Sequence, residues 1–121
     1  MIKILVTGGA GNVGGALVRK LVDNQNYFVV IADDLSTGSM SKLPSNEYKN
    51  WSFVNCDVNN YKEISEIMLV NHFDYVFHYA AVVGVKRTQE NPILVLNDIE
   101  GIRNILQLSK NSSVKRVFFS S

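Results

Sequence analysis

Apolar positions along the chain come in short dense runs, separated by stretches with helical spacing. "IKILVT", "NYFVVIA", "WSFVN", "DYVFHYA" and "VKRVFFSS" are rich in β-branched and aromatic residues. Several are apolar almost throughout instead of alternating, the pattern of strands covered on both faces, as in a parallel sheet. Between them, Val13, Leu17, Val18, Leu21 and Val22 recur at helical intervals. Asn60 and Glu63 resemble a capping box ahead of Tyr61, Ile64, Ile67 and Met68. Asn91-Pro92 reads as N-cap and first-turn proline of a helix carrying Val95, Ile99, Ile102 and Leu106, with Lys110 in its last turn.

The segment "DDLSTGSMSKLPSNEYKN" lacks periodicity and is rich in turn residues, so a long loop with room for one helical turn is expected. No repeat, low-complexity tract or interdomain linker interrupts the chain. Strand–helix alternation with short connections implies right-handed crossovers and an α/β, doubly wound parallel sheet. The predicted fold is Rossmann-like, one domain over residues 1–121, with strand order 3-2-1-4-5 and its last element the fifth strand. Ligands then sit at the carboxyl ends of the first and fourth strands.

"VTGGAGNVGGAL", from Val6 to Leu17, places five glycines directly after the first strand, opening a helix at Asn12. Two registers fit a dinucleotide turn, Gly9-x-Gly11-x-x-Gly14 and Gly8-x-x-Gly11-x-x-Gly14. In either, the absence of Cβ allows a positive φ, close approach of a pyrophosphate, and packing of helix on strand. The amides of Asn12 and Val13 then face the phosphates at the positive end of the helix dipole. Asp33 closes the second strand, 33 − 14 = 19 positions beyond Gly14, where a carboxylate accepts hydrogen bonds from the adenosine ribose. Asp34 follows, with no Arg or Lys in the next several residues. A 2′-phosphate would meet one or two carboxylates there, each close contact costing about 4 kcal/mol at a permissive effective dielectric. The cofactor these residues predict is NAD, not NADP.

Composition narrows the field. Apolar residues at 46% and charged residues at 19% describe a globular chain. A net charge of +1 without a Lys/Arg cluster removes the footprint of a nucleic-acid partner. Cys56 is the single cysteine, which excludes a disulfide framework and a cysteine-based zinc site and fits a buried thiol in a reducing cytoplasm. Glycines cut the N-terminal apolar run too early for a signal segment, and the run near Val76 to Val85 contains His78 and is too short for a bilayer. A soluble, cytoplasmic protein with no membrane partner is the expectation.

"TGGAGNVG", "DDLSTG", "CDV", "HYAA" and "NDIEGIRNIL" together resemble, in order and over essentially the whole chain, the motifs of the extended short-chain dehydrogenase/reductase family. Its members are nucleotide-sugar epimerases, dehydratases and decarboxylases. The resemblance implies an NAD site at Gly8, Gly11, Asn12, Val13, Gly14, Asp33, Asp34, Ser36, Thr37, Gly38, Asp57, Val58, Tyr79, Ala80, Ala81 and Asn97. Asp57 would contact the adenine amino group. Two departures stand out: Asn12-Val13 replaces a common Phe-Ile, and Ile102-Arg103 replaces the usual threonine step, which leaves that helix's packing open.

His78 reads as a strand-end histidine satisfied by the backbone, and His72 as a surface residue near a helix end. Lys86 and Arg87 lie at the mouth of the predicted cleft, as a solvated loop in preference to a substrate-phosphate contact. Family chemistry implies a tyrosine that takes a sugar hydroxyl proton while hydride moves to the nicotinamide, with a lysine four residues on that lowers its pKa. None of the five tyrosines has lysine at that spacing, so no catalytic residue is assigned, Ser121 included.

The resulting expectation is the NAD-binding N-terminal part of a longer enzyme, inactive by itself. The whole enzyme would oxidise a nucleotide sugar to a transient ketone before epimerisation or dehydration. A UDP-glucuronate decarboxylase-type member and a non-catalytic NAD-sensing domain remain as alternatives. A flavodoxin-like module fares poorly because its phosphate loop is Ser/Thr-rich and it leaves Asp33 without a purpose. The open apolar fifth strand predicts self-association, and a homo-oligomer is expected.

Overall fold

Strand and helix alternate as β1 (Ile2–Thr7), α1 (Asn12–Leu21), β2 (Tyr27–Asp33), a 3-10 turn (Met40–Lys42), β3 (Trp51–Asn55), α2 (Tyr61–Asn71), β4 (Tyr75–His78), α3 (Pro92–Lys110) and β5 (Arg116–Phe119). The computed structural model describes residues 1–80, 92–110 and 112–119, and for 92–99 the backbone alone. All neighbouring strands are parallel, in the predicted order β3-β2-β1-β4-β5. Thr7 at the end of β1 lies beside Ala32 of β2 and His78 of β4, so the carboxyl ends of the central strands come together.

The period of two along each strand divides the core. Leu5, Val30, Ala32 and Val76 face one side, where Ile64, Ile67 and Met68 of α2 and Ile105 and Leu108 of α3 cover them. Ile4, Val6, Val29 and Ile31 face the other, against Val18 of α1 and Val22 at its C-cap. β1 and β2 are buried on both faces. The edge strands β3 and β5 are not, and Phe118 and Phe119 of β5 stay exposed. Their apolar run is the same as that of a central strand; only their place at the edge differs.

Two expectations need correction. Val13, Tyr61, Ile102 and Leu106 belong to the helical spacing yet are exposed, so the apolar spacing is wider than the stripe each helix buries on the sheet. The capping box is half formed: Asn60 Oδ1 accepts from Glu63 N at 3.3 Å, but Glu63 Oε1 turns to Asp57 N at 3.4 Å. Asn60 N donates to Asp57 O instead, which frees the Glu63 carboxylate for the preceding turn. His72 ends α2 as an exposed residue in the left-handed region, φ 51°. Ile102 and Arg103, the family departure in α3, face outward, while Gly101, Asn104 and Ile105 are buried inward. Among the described residues no helix is long and apolar enough to cross a membrane.

Candidate functional site

The predicted residues within the described chain converge on the carboxyl edge of the sheet. β1 runs out at Thr7, and the chain turns at Gly8 with φ 71°, a conformation L side chains rarely adopt. A Cβ on Gly8 would stand 2.7 Å from the carbonyl carbon of Tyr79 and 2.8 Å from the Ala80 nitrogen. A Cβ on Gly14 would overlap the carbonyl oxygen of Gly8. Backbone meets backbone at both places, so neither clash can be relieved by a rotamer. The two registers share Gly11 and Gly14; of the residues that distinguish them, Gly8 has the positive φ, while a Cβ on Gly9 would stand 2.6 Å from Cγ2 of buried Ile31, so both positions are closed to a side chain.

Gly11 is the N-cap of α1, and its carbonyl receives the first helical bond from Gly15 N at 2.9 Å. No side chain caps this terminus and no acid occupies its first turn. The leading amides, Asn12 and Val13 among them, thus end a helix whose positive pole is left for an anion.

The loop after β2 is tied onto this turn. Asp33 is 7% exposed, and its carboxylate accepts from Ala10 N at 2.9 Å and Leu35 N at 2.7 Å. Ser39 N donates to Ala10 O at 2.9 Å, so both polar groups of Ala10 are used by the β2 loop. Gly38 lies so close that a Cβ would stand 2.9 Å from both Ala10 O and Asp33 Oδ2. Asp34 is exposed and accepts from Ser36 N at 2.9 Å; Ser36 and Thr37 are exposed beside it.

At the end of β3, Asp57 accepts from Asn59 N at 2.9 Å, and the carbonyl of buried Val58 accepts from Asn104 Nδ2 at 2.9 Å. Gly101 N donates to Asn59 Oδ1 at 2.8 Å, so α3 clamps the turn that carries Asp57. Buried Cys56 lies next to it. Burial first, then the carboxylates of Glu63, Asp57 and Asp34, push its thiol up to about 12, leaving it protonated and inert as a nucleophile.

At the end of β4, half-buried Tyr79 and Ala80 carry amides that donate to Thr7 Oγ1 at 3.0 and 3.2 Å, and the Tyr79 amide is shared with the Thr7 carbonyl at 3.0 Å. His78 is 3% exposed, and its Nδ1 lies 2.8 Å from that same hydroxyl. A side chain, not the backbone, is its partner, which corrects the expectation from sequence. Desolvation lowers its pKa to about 4. Ala81, Lys86, Arg87, Asn91 and Ser121, and the side chain of Asn97, lie outside the described residues.

Thr7, Ala10, Asn59 and Asn104 carry no assignment from sequence, although each holds a predicted residue in place. The signal for Thr7 was present in its position as the last residue of β1, directly before Gly8; for the others it lies in contacts across the fold.

Residues 4–121 match a family model described as the NAD dependent epimerase/dehydratase family. A UDP-N-acetyl-alpha-D-glucosaminuronate decarboxylase of Bacillus cytotoxicus is 36% identical over 98% of this chain and 36% of its own length. A UDP-glucose 4-epimerase of Thermotoga maritima, solved with UDP-glucose, is 32% identical with a TM-score of 0.88, over 99% of this chain and 38% of its own. A Thermus thermophilus UDP-glucose 4-epimerase in complex with NAD is 27% identical with a TM-score of 0.85, over 96% of this chain and 36% of its own. The chain thus spans little more than one third of each of these three proteins.

Proposed function

Because this chain belongs to the NAD dependent epimerase/dehydratase family, we propose that it is the NAD-binding portion of a nucleotide-sugar enzyme. The observation that carries this reading is the uncapped N-terminus of α1 behind a turn that admits no Cβ at Gly8 or Gly14. A diphosphate takes the leading amides of α1. The Asp33 carboxylate, already fixed by two amides, keeps lone pairs for the ribose hydroxyls of the adenosine half. Asp34 adds a second negative charge against a 2′-phosphate, and Asp57 faces the adenine amino group. The nicotinamide lies toward Tyr79 and Ala80, at the switch point between β1 and β4.

When bound, NAD supplies the hydride acceptor for oxidation of a sugar carbinol, and the resulting ketone is epimerised, dehydrated or decarboxylated. The decarboxylase among the relatives keeps that last outcome beside epimerisation. The residues of this chain position the cofactor; no tyrosine among them has lysine four residues on, and we assign them no turnover of their own.

Calorimetric titration with NAD and NADP tests the reading. NAD is expected to bind the more tightly, and Asp33→Ala to weaken NAD by about tenfold while narrowing the gap to NADP, as loss of a charge-assisted hydrogen bond requires. Equal NAD affinity in parent and variant rejects the ribose contact. Steady conversion of UDP-glucose by the purified 121 residues overturns the assignment of a binding role alone.

A further inference from the structure

We propose that His78 is a positioning residue which, as its Nε2–H tautomer, takes the Thr7 hydroxyl proton and so holds the Tyr79–Ala80 peptide against Gly8. A threonine hydroxyl offers one proton and two lone pairs. Thr7 Oγ1 accepts from Ala80 N at 3.2 Å and shares the Tyr79 amide, 3.0 Å away, with the Thr7 carbonyl, also at 3.0 Å, so both amides face its lone pairs and neither can take its proton. The remaining contact, 2.8 Å to His78 Nδ1, must therefore carry the hydroxyl proton. Nδ1 is the acceptor, and the neutral ring keeps its own proton on Nε2.

The other tautomer fares worse. An Nδ1–H would claim a lone pair of Thr7 and leave the hydroxyl proton without an acceptor among the described residues, while Nε2, buried and unpaired among them in either case, would gain nothing. One unpaired group is left in the first arrangement and two in the second, and each is costly in a buried site. The ring is walled by Phe119, edge-on at 5.8 Å, and its Cε1 lies 3.6 Å from where a Gly101 Cβ would stand. Phe119 and the Gly101 backbone carry no charge, so they favour the neutral ring.

The consequence reaches the turn. Gly8 packs directly on the peptide that Thr7 holds, within distances that admit no Cβ. Without an acceptor at position 78, the Thr7 proton points into an apolar site. The hydroxyl must then rotate and release an amide, and the contact that sets the turn loosens.

Nitrogen-15 spectra of the histidine-labelled chain read the tautomer directly, with exposed His72 giving the second, separate signal. A non-protonated Nδ1 and a protonated Nε2 are expected at neutral pH; the reverse pattern overturns the proposal. Hydrogen exchange then reads the positioning. His78→Asn places an Oδ1 near the Nδ1 position and can still accept from Thr7, whereas His78→Leu cannot. Exchange at the Ala80 amide, which donates to Thr7 Oγ1, is expected to quicken by about tenfold or more in His78→Leu and to stay within about threefold of the parent in His78→Asn, while the Tyr79 amide keeps the Thr7 carbonyl as acceptor. Equal exchange in the two variants overturns the positioning role, and if His78→Leu fails to fold, the tautomer signature of the parent decides. The effect on NAD affinity, weakened in His78→Leu and retained in His78→Asn, rests on the function proposed above. A chain with the expected tautomer and exchange that binds no NAD refutes that function and leaves the His78 assignment standing.

Discussion

Gly14→Ala is expected to abolish measurable NAD binding and to lower stability by about 3 kcal/mol, while Gly15→Ala one position on leaves binding unchanged. Both registers read from the sequence end on Gly14 and neither uses Gly15, and the surroundings of the two adjacent glycines differ accordingly. A Cβ at Gly14 overlaps the Gly8 carbonyl oxygen and stands 2.9 Å from the Gly8 carbonyl carbon, and both atoms belong to the turn itself. Relief requires moving Gly8, which is pinned by the Tyr79–Ala80 peptide on one side and by its bond to Ala32 O at 2.8 Å. At Gly15 the tightest contact is 3.1 Å to Nη1 of Arg19, the far end of a flexible side chain. Alanine there also gains helix propensity of up to ~1 kcal/mol over glycine. Titration with NAD and thermal denaturation of both variants check the pair. A Gly14→Ala protein that binds NAD like the parent removes the diphosphate assignment.

Acid is expected to destabilise the fold by about 3 kcal/mol between pH 6.5 and 4 through His78 alone. Its pKa falls from 6.5 in the unfolded chain to about 4 in the fold, with desolvation as the cause. The unfolded chain therefore binds the proton first as pH drops. The contribution of neutral His78 is fully present above pH 6.5, shrinks as pH falls toward 4, and changes no further below. Protonation also puts a donor on Nδ1 where Thr7 already donates, so the same event breaks the hydroxyl bridge between β1 and β4. Urea denaturation across that pH range, in parent and His78→Asn, checks the sign and the residue. A parent whose stability is flat from pH 6.5 to 4, or one that matches the variant in slope, contradicts the prediction.

The order of strands and helices was legible because local composition and topology pointed the same way. Runs such as "IKILV" and "YFVVIA" have no polar face, and only a parallel sheet covered on both sides buries such strands. The Asp33 position was legible too, as the polar residue that ends β2. Its bonds were not. From the sequence it is a free ribose acceptor; in the fold its two oxygens also tie Ala10 and Leu35, so the residue shapes the turn it serves. His78 went the other way, expected on a backbone partner and found on Thr7, 71 positions away.

Local spacing of apolar, glycine and acidic residues by itself determined the family resemblance, the sheet order and the edge where a dinucleotide would lie. That Gly8 and Gly14 meet backbone where a Cβ would stand, that His78 pairs with Thr7, and that α3 clamps the Asp57 turn through Asn59, Gly101 and Asn104 were decided only by tertiary structure. The physical reason is range. Backbone propensity and hydrophobic period act over a few neighbours and are written along the chain, whereas excluded volume and hydrogen-bond donors are settled between atoms that folding alone brings within about 3 Å of one another.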